Sequence, residues 1–306
     1  MIVECRKIYI HVERFSVLVG SNEFEEAWLD EGFNSYSTAN VMDRGYGADR
    51  SVVDVLGFRL GSLATARMEN TPTNIYERVR QPAWLFPTGG YGFYAYRKPQ
   101  LLLTTLERML GEQTMARIMR TYHERWRFKH PNTDDFYAVA EEVAGRDLSW
   151  YFDQVVEGSD VLDYAVSSVS SQRVKARRGY VERDGKRTIV DNDTASAEDK
   201  GEKAPYETTI LIKRLGGVTV PVDIALKFEG KDVERQTWDG KDRYKRIVVT
   251  RPEKLEWVAV DPDHTLALDV NWTNNSRRLA PDSRAALKWS ARWTYLVQQF
   301  VAFVGF

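Results

Sequence analysis

The chain predicts a multidomain α + β fold, a helical region followed by an all-β sandwich, and three observations carry the prediction. Over residues 22–158 apolar positions recur at helical spacing, beginning with Leu29, Phe33 and Tyr36 at i, i+4 and i+7. From about Asp163 the period changes to the alternation of strands. Beyond it, Gly216-Gly217, Glu229-Gly230, Asp239-Gly240 and Asp261-Pro262-Asp263 separate short apolar runs, as the turns of a sandwich do. At 306 residues, with 43% hydrophobic and 12% aromatic content, the chain is long enough for two domains with packed cores.

Taken in order, residues 22–42 read as the first helix, with Glu23, Glu25 and Glu26 at its front and Gly45 and Gly47 closing it. Residues 51–67 follow as a second helical pattern, which Thr71-Pro72-Thr73 ends because proline cannot continue the hydrogen-bond ladder. A loop rich in Gly, Pro and aromatics spans 81–93, and Gly89-Gly90-Tyr91-Gly92 gives it backbone freedom. Tyr94-Ala95-Tyr96-Arg97-Lys98-Pro99 then opens a helix through Leu101, Leu102, Leu103, Leu106 and Leu110. Further helices are expected over 112–126, over 136–144 behind a cap at Thr133-Asp134-Asp135, and from Asp147 onward.

Strands are expected over 166–174, 208–215, 218–228, 234–238, 244–250, 257–260 and 266–270. Residues 175–203 are charged and poor in apolar side chains, which predicts an exposed, mobile insertion. Asn271 and Asn274 fit glycosylation acceptor triplets, a pattern common by chance. Residues 285–306 form an aromatic-rich helix with Lys288 and Arg292 near its start. Its uncharged run, 293–306, is shorter than the ~20 residues a bilayer span needs. Packing onto the fold and membrane-surface contact both fit that helix better than spanning.

The charge balance excludes one class of partner. With 43 basic and 44 acidic residues and a net charge of -1, the chain offers no basic field of the kind nucleic acid requires. Cys5 is the single cysteine, which excludes an internal disulfide and a thiolate zinc site. His123 and His130 lie on polar stretches beside Arg and Lys and His264 lies in a turn, positions that favour surface, capping or structural roles over metal ligation.

The chemistry concentrates in Ala27-Trp28-Leu29-Asp30-Glu31-Gly32-Phe33-Asn34-Ser35-Tyr36. The stripe of Leu29, Phe33 and Tyr36 carries Glu31 close to the core, where a carboxylate is costly unless paired, protonated or bound to a cation. The plainer reading is a pair of solvated acids in a helix's first turn, favoured there by its dipole. Trp28-Leu29-Asp30-Glu31-Gly32-Phe33 resembles the Trp-Leu-Asn-Glu-Gly-Phe motif of the gluzincin zinc aminopeptidases, the family of aminopeptidase N. In that family the motif's Glu is the third zinc ligand, behind an HExxH helix that supplies two imidazoles and the general base. The resemblance therefore implies Glu31 as a metal ligand. It also implies Tyr96 as the donor to the oxyanion, since Tyr-x-Lys at the head of a helix is similar to the family segment with that role. Pro99 stands where the family usually has Gly.

The family's spacing places the second His at Val12, the first at Ile8 and the base at Tyr9, and none of the three matches. His11 and Glu13 lie nearby but out of register, and the family's Gly-x-Met-Glu-Asn substrate-amine segment is absent. The resemblance covers about 18–275. It implies an unmatched segment at 1–17, the helical back half of a thermolysin-like catalytic domain at 18–160, a β-sandwich at 161–275 and the aromatic helix at 276–306. The expected function is zinc-dependent aminopeptidase chemistry on a peptide substrate in an intact parent, with zinc as its cofactor and this chain inactive alone. A C-terminal portion of such a peptidase and a descendant that has lost its metal site both account for the missing motif. The second alternative is a non-catalytic interaction protein that keeps the fold. Either way, Glu31 and Tyr96 are expected within about 10 Å of each other, the reach set by ligand bonds of ~2 Å and hydrogen bonds of ~3 Å.

Overall fold

The computed structural model describes residues 18–55, 57–70, 77–174, 179–190 and 204–305. The readings placed on Ile8, Tyr9, His11, Val12 and Glu13 lie outside the described residues, as do residues 175–178 and 191–203 of the charged insertion.

The first helix starts later than its acids suggest. Asn22 opens a turn, its side-chain oxygen accepting the Phe24 N–H at 3.1 Å. A π-helical turn, Trp28–Gly32, then runs directly into α1 (Phe33–Tyr46), which Gly47 closes at φ +96°. Where a second helix was expected from residue 51, the chain instead forms an antiparallel hairpin, β1 (Val53–Val55) with β2 (Phe58–Leu60), before α2 (Ser62–Glu69). Val52, Val53 and Val55 are β-branched, and Gly57 supplies the positive φ of the turn, so local preference favours the hairpin.

A second π-helical turn, Gly92–Arg97, leads into α3 (Lys98–Leu110), followed by α4 (Glu112–Trp126), α5 (Thr133–Ala144) and α6 (Ser149–Val155). Leu101, Leu102, Leu103 and Leu106 are all at 0% exposure, so the first half of α3 is covered and forms the centre of the helical region, while Arg108 near its end is exposed. Beside it, the rings of Trp28, Phe33, Tyr122, Phe136 and Phe152 meet edge to face, with centroids 4.8 to 6.0 Å apart. The cap of α5 is Asn132 and not Thr133. Asn132 and Asp135 form a reciprocal capping box, which leaves Thr133 free to turn inward and accept the Trp28 indole N–H at 3.0 Å.

The strands are β3 (Tyr164–Arg173), β4 (Gly179–Arg183), β5 (Lys186–Val190), β6 (Tyr206–Arg214), β7 (Val222–Phe228), β8 (Val233–Trp238), β9 (Tyr244–Arg251), β10 (Leu255–Val260) and β11 (Ser276–Arg278). They make a three-stranded sheet, β3-β6-β9, and a four-stranded sheet, β11-β10-β7-β8, every pairing antiparallel. Thr208, Ile210 and Ile212 of β6 are buried in alternation, as a sheet with one core face requires. The Tyr164 hydroxyl donates to the Val220 carbonyl at 2.7 Å and accepts its N–H at 3.2 Å. β11 carries the second sheet past residue 275. The charged insertion contains structure of its own: β4 and β5 pair as a hairpin, with Asp184 and Gly185 both at positive φ as a type I′ turn demands.

The run 266–270, expected as a strand, pairs with none. It is a buried loop whose carbonyls at 267–269 and Leu268 N–H are satisfied by helical-region side chains, while the N–H groups of Leu266, Ala267, Asp269 and Val270 bond to Asp261, Thr265, Leu266 and Leu162. The Arg67 guanidinium donates to the Ala267 carbonyl at 2.6 Å and the Asp269 carbonyl at 2.5 Å. Asn70 donates to the Leu268 carbonyl at 2.9 Å, and the Leu268 N–H donates to the Thr105 hydroxyl at 3.0 Å. Gln154 of α6 makes a second bridge, taking the Thr219 N–H at 2.6 Å and donating to its carbonyl at 3.2 Å. The last helix, α7 (Arg284–Val304), lies outside this core, with every residue over 281–305 exposed.

Candidate active site

Glu31 and Tyr96 each lie on one of the two π-helical turns, a geometry that is rare and recurs at functional sites. The first turn presses at Gly32 on the second and on the head of α3, where an added Cβ would fall 3.4 Å from the Ala95 carbonyl oxygen and 2.3 Å from the Pro99 Cβ. A side chain at 32 would therefore wedge the turns apart. This close approach lets the Tyr96 hydroxyl donate to Glu31 Oε1 at 2.5 Å, so residues 65 apart in sequence are in direct contact. Both side chains are half-buried.

The electrostatics keep the phenol protonated. Burial first, and then the Glu31 carboxylate beside it, raise the Tyr96 pKa above the usual phenol range. Tyr91 packs edge-on to Tyr96 at 6.0 Å and is also raised, by burial and then by the charges of Glu31, Glu23 and Asp30. Asp30 is pushed up to about 7, by burial first, then by a hydrogen bond with the Glu23 carboxyl and by Glu23's charge, while Asn34 donates to it at 3.0 Å. Because the folded pKa lies above the ordinary 3.8, the native state binds the extra proton between about pH 4 and pH 7. Asp30 thus favours folding below that window and costs stability as pH rises through it. Asp30→Asn is expected to stabilise the protein at pH 8 and change little at pH 4, measured by urea unfolding at both values; an equal effect at both would refute the shift.

The surroundings hold these turns in place. Arg80 donates to Glu26 at 2.8 Å, to both oxygens of Asp134 at 2.8 and 3.1 Å, and to Glu157 at 3.0 Å. Glu26 in turn accepts the Thr133 N–H at 2.9 Å, which ties the start of α5 to the segment leading into Glu31. Lys98, the Lys of the Tyr-x-Lys pattern, is buried and pushed down to about 8 by that burial. It donates to the Glu77 carbonyl at 2.8 Å, below the Tyr94 ring, and so anchors a loop. The pattern of the sequence singled out neither the Arg80 network nor the Asp30–Glu23 pair. Both join residues with no motif in common, and only the cluster of Glu23, Glu25 and Glu26 hinted at a local need for a cation.

The histidines lie elsewhere. His130 Nδ1 is 2.8 Å from the Gly20 carbonyl, His264 stacks on Trp272 at 4.1 Å, and His123 lies in α4. Among the described residues, no group of three or more His, Cys, Asp or Glu is placed to hold a metal ion.

The site thus pairs a glutamate with a phenol across two π-helical turns. Residues 14–155 match the Peptidase family M1 domain, and in this segment the chain is similar to that family. Among solved structures, the chain is similar to Legionella pneumophila aminopeptidase A in complex with aspartic acid, at 12% identity and a TM-score of 0.49 over 86% of this chain. It spans about a quarter, 26%, of that structure's length. No curated relative matches.

Proposed function

We propose that this chain carries one side of a zinc aminopeptidase centre, with Glu31 as the carboxylate ligand and Tyr96 as the donor to developing charge on a peptide carbonyl. The observation that carries the reading is the 2.5 Å contact between the two, built by π-helical turns that have no local reason to meet. Catalytic zinc sites use about three protein ligands, so the side chains of the described residues do not by themselves fit the metal. Cleavage of N-terminal peptide bonds then depends on an HExxH segment from outside the described residues to supply the imidazoles and the base. The phenol suits its role because it is held protonated and donates without bearing charge. The same contact favours a second reading, a non-catalytic interaction protein that keeps the fold without the metal, because Tyr96 already occupies one of the carboxylate oxygens.

Two measurements test this. After dialysis the chain is expected to hold far less than one zinc per molecule and to leave aminoacyl p-nitroanilides uncleaved. Stoichiometric zinc, or turnover lost to a chelator and regained with zinc, would overturn the need for outside ligands. Joined behind an HExxH-bearing segment of an M1 relative, the chain is expected to gain zinc and turnover that Glu31→Gln removes. A folded fusion whose zinc content ignores that substitution would favour the interaction protein.

A further inference from the structure

We infer that α7 is a membrane-surface helix that docks the protein onto anionic lipid, independently of the site at Glu31. Three features of this helix point to it. First, Trp289, Trp293, Leu296, Phe300 and Val304 follow one another at steps of three and four, which lines them along one side. All five are exposed, from 42% at Leu296 to 67% at Phe300, and none is packed against the core of the described residues. Single exposed apolar residues need no explanation, but a stripe this long on a helix does.

Second, Arg284, Lys288 and Arg292, at i, i+4 and i+8, form a cationic row beside that stripe; Asp282, just ahead of the helix, pairs with Arg284 at 2.6 Å, and the helix itself holds no acid to pair with Lys288 or Arg292. A second copy of α7 would bring more cations and no carboxylate, whereas anionic headgroups complement the row and receive the stripe between them. Trp and Tyr sit at the headgroup level because one part of the ring system is apolar and the other polar, and this helix carries Trp289, Trp293 and Tyr295. No helix of the described residues is long and apolar enough to cross a membrane, so the helix lies along the surface.

Third, the surface continues beyond the helix. Arg292 reaches the Gly57 carbonyl at 3.4 Å, at the tip of the β1–β2 hairpin, where Val55 and Phe58 are exposed at 60% and 58%. The hairpin tip thus adds two apolar side chains at the flank of the helix.

The test uses the full chain and vesicles of phosphatidylcholine alone or with phosphatidylglycerol. Flotation with the anionic vesicles only is expected, together with a blue shift of tryptophan emission and release as salt shortens the screening length. Lys288→Glu with Arg292→Glu is expected to weaken binding by at least about tenfold, since each cation near an anionic surface contributes measurably. Trp293→Ala with Phe300→Ala is expected to abolish the blue shift while circular dichroism of the sandwich and helical region stays unchanged. Absence of flotation, or equal binding to neutral vesicles, would overturn the proposal. So would wild-type self-association that the aromatic pair of substitutions dissolves while vesicles remain unbound. Because neither pair of substitutions touches Glu31 or Tyr96, these outcomes are independent of the zinc measurements.

Discussion

Trp28→Ala lowers the unfolding free energy by about 3–5 kcal/mol, the range for removing a fully buried large aromatic side chain. Trp28 is at 0% exposure, meets Phe33 and Phe136 edge-on at 5.5 and 5.9 Å, and gives its indole N–H to Thr133. The cavity would open directly beneath the turn that carries Glu31. Urea unfolding followed by circular dichroism measures the loss, and Thr133→Val separates its parts. That variant keeps the volume but strands the buried N–H, at a cost of about 1–3 kcal/mol. A loss for Trp28→Ala no larger than that of Thr133→Val would mean the ring cluster collapses into the space and does not hold the turn.

The second large effect is expected at Gly32→Ala. Its new methyl group would arrive 2.3 Å from the Pro99 Cβ, and both partners are fixed, one by a helical turn and the other by its ring. Overpacking of this kind costs about 1–3 kcal/mol, and here it also separates the two π-helical turns. The Tyr96 phenol, no longer against Glu31, should titrate nearer its ordinary value of 10.0, a change visible in ultraviolet absorbance. Pro99→Gly in the same chain removes the opposing atom and should restore part of both losses. If the double variant is as unstable as the sum of the singles, the contact is not what limits this site.

How much of this was legible in the sequence depends on the distance over which each feature is decided. Leu29, Phe33 and Tyr36 are buried as their spacing implies, at 3%, 0% and 5% exposure. The π-helical turn beneath them was not legible, because apolar spacing alone does not reveal a widened turn when the flanking residues keep their faces. Val52, Val53 and Val55 satisfy helical and strand patterns equally over so short a span, and Gly57 was the decisive residue. The run 266–270 is apolar enough for a strand, yet Arg67, Asn70 and Thr105, more than a hundred residues away, supply the hydrogen bonds a ladder would have made. The placing of Glu31 beside Tyr96 had no local signal at all. It was expected only from the family likeness of two short motifs, and their chemical roles still rest on that likeness.

That borrowed hydrogen bonding changes what the division near residue 160 means. A sequence boundary suggests two bodies that could be parted, exchanged or rotated about a hinge. The loop 266–270, however, buries Leu266, Ala267 and Leu268 and has side chains from α2, from Asn70 at its end and from α3 as backbone partners. Cut free of the helical region, the sandwich would expose an apolar seam lined with orphaned carbonyls, each costly to leave unmade. The seam is therefore expected to act as a joint that opens only as the two sides unfold, with amide protons at 266–270 and at its partners in the helical region exchanging together.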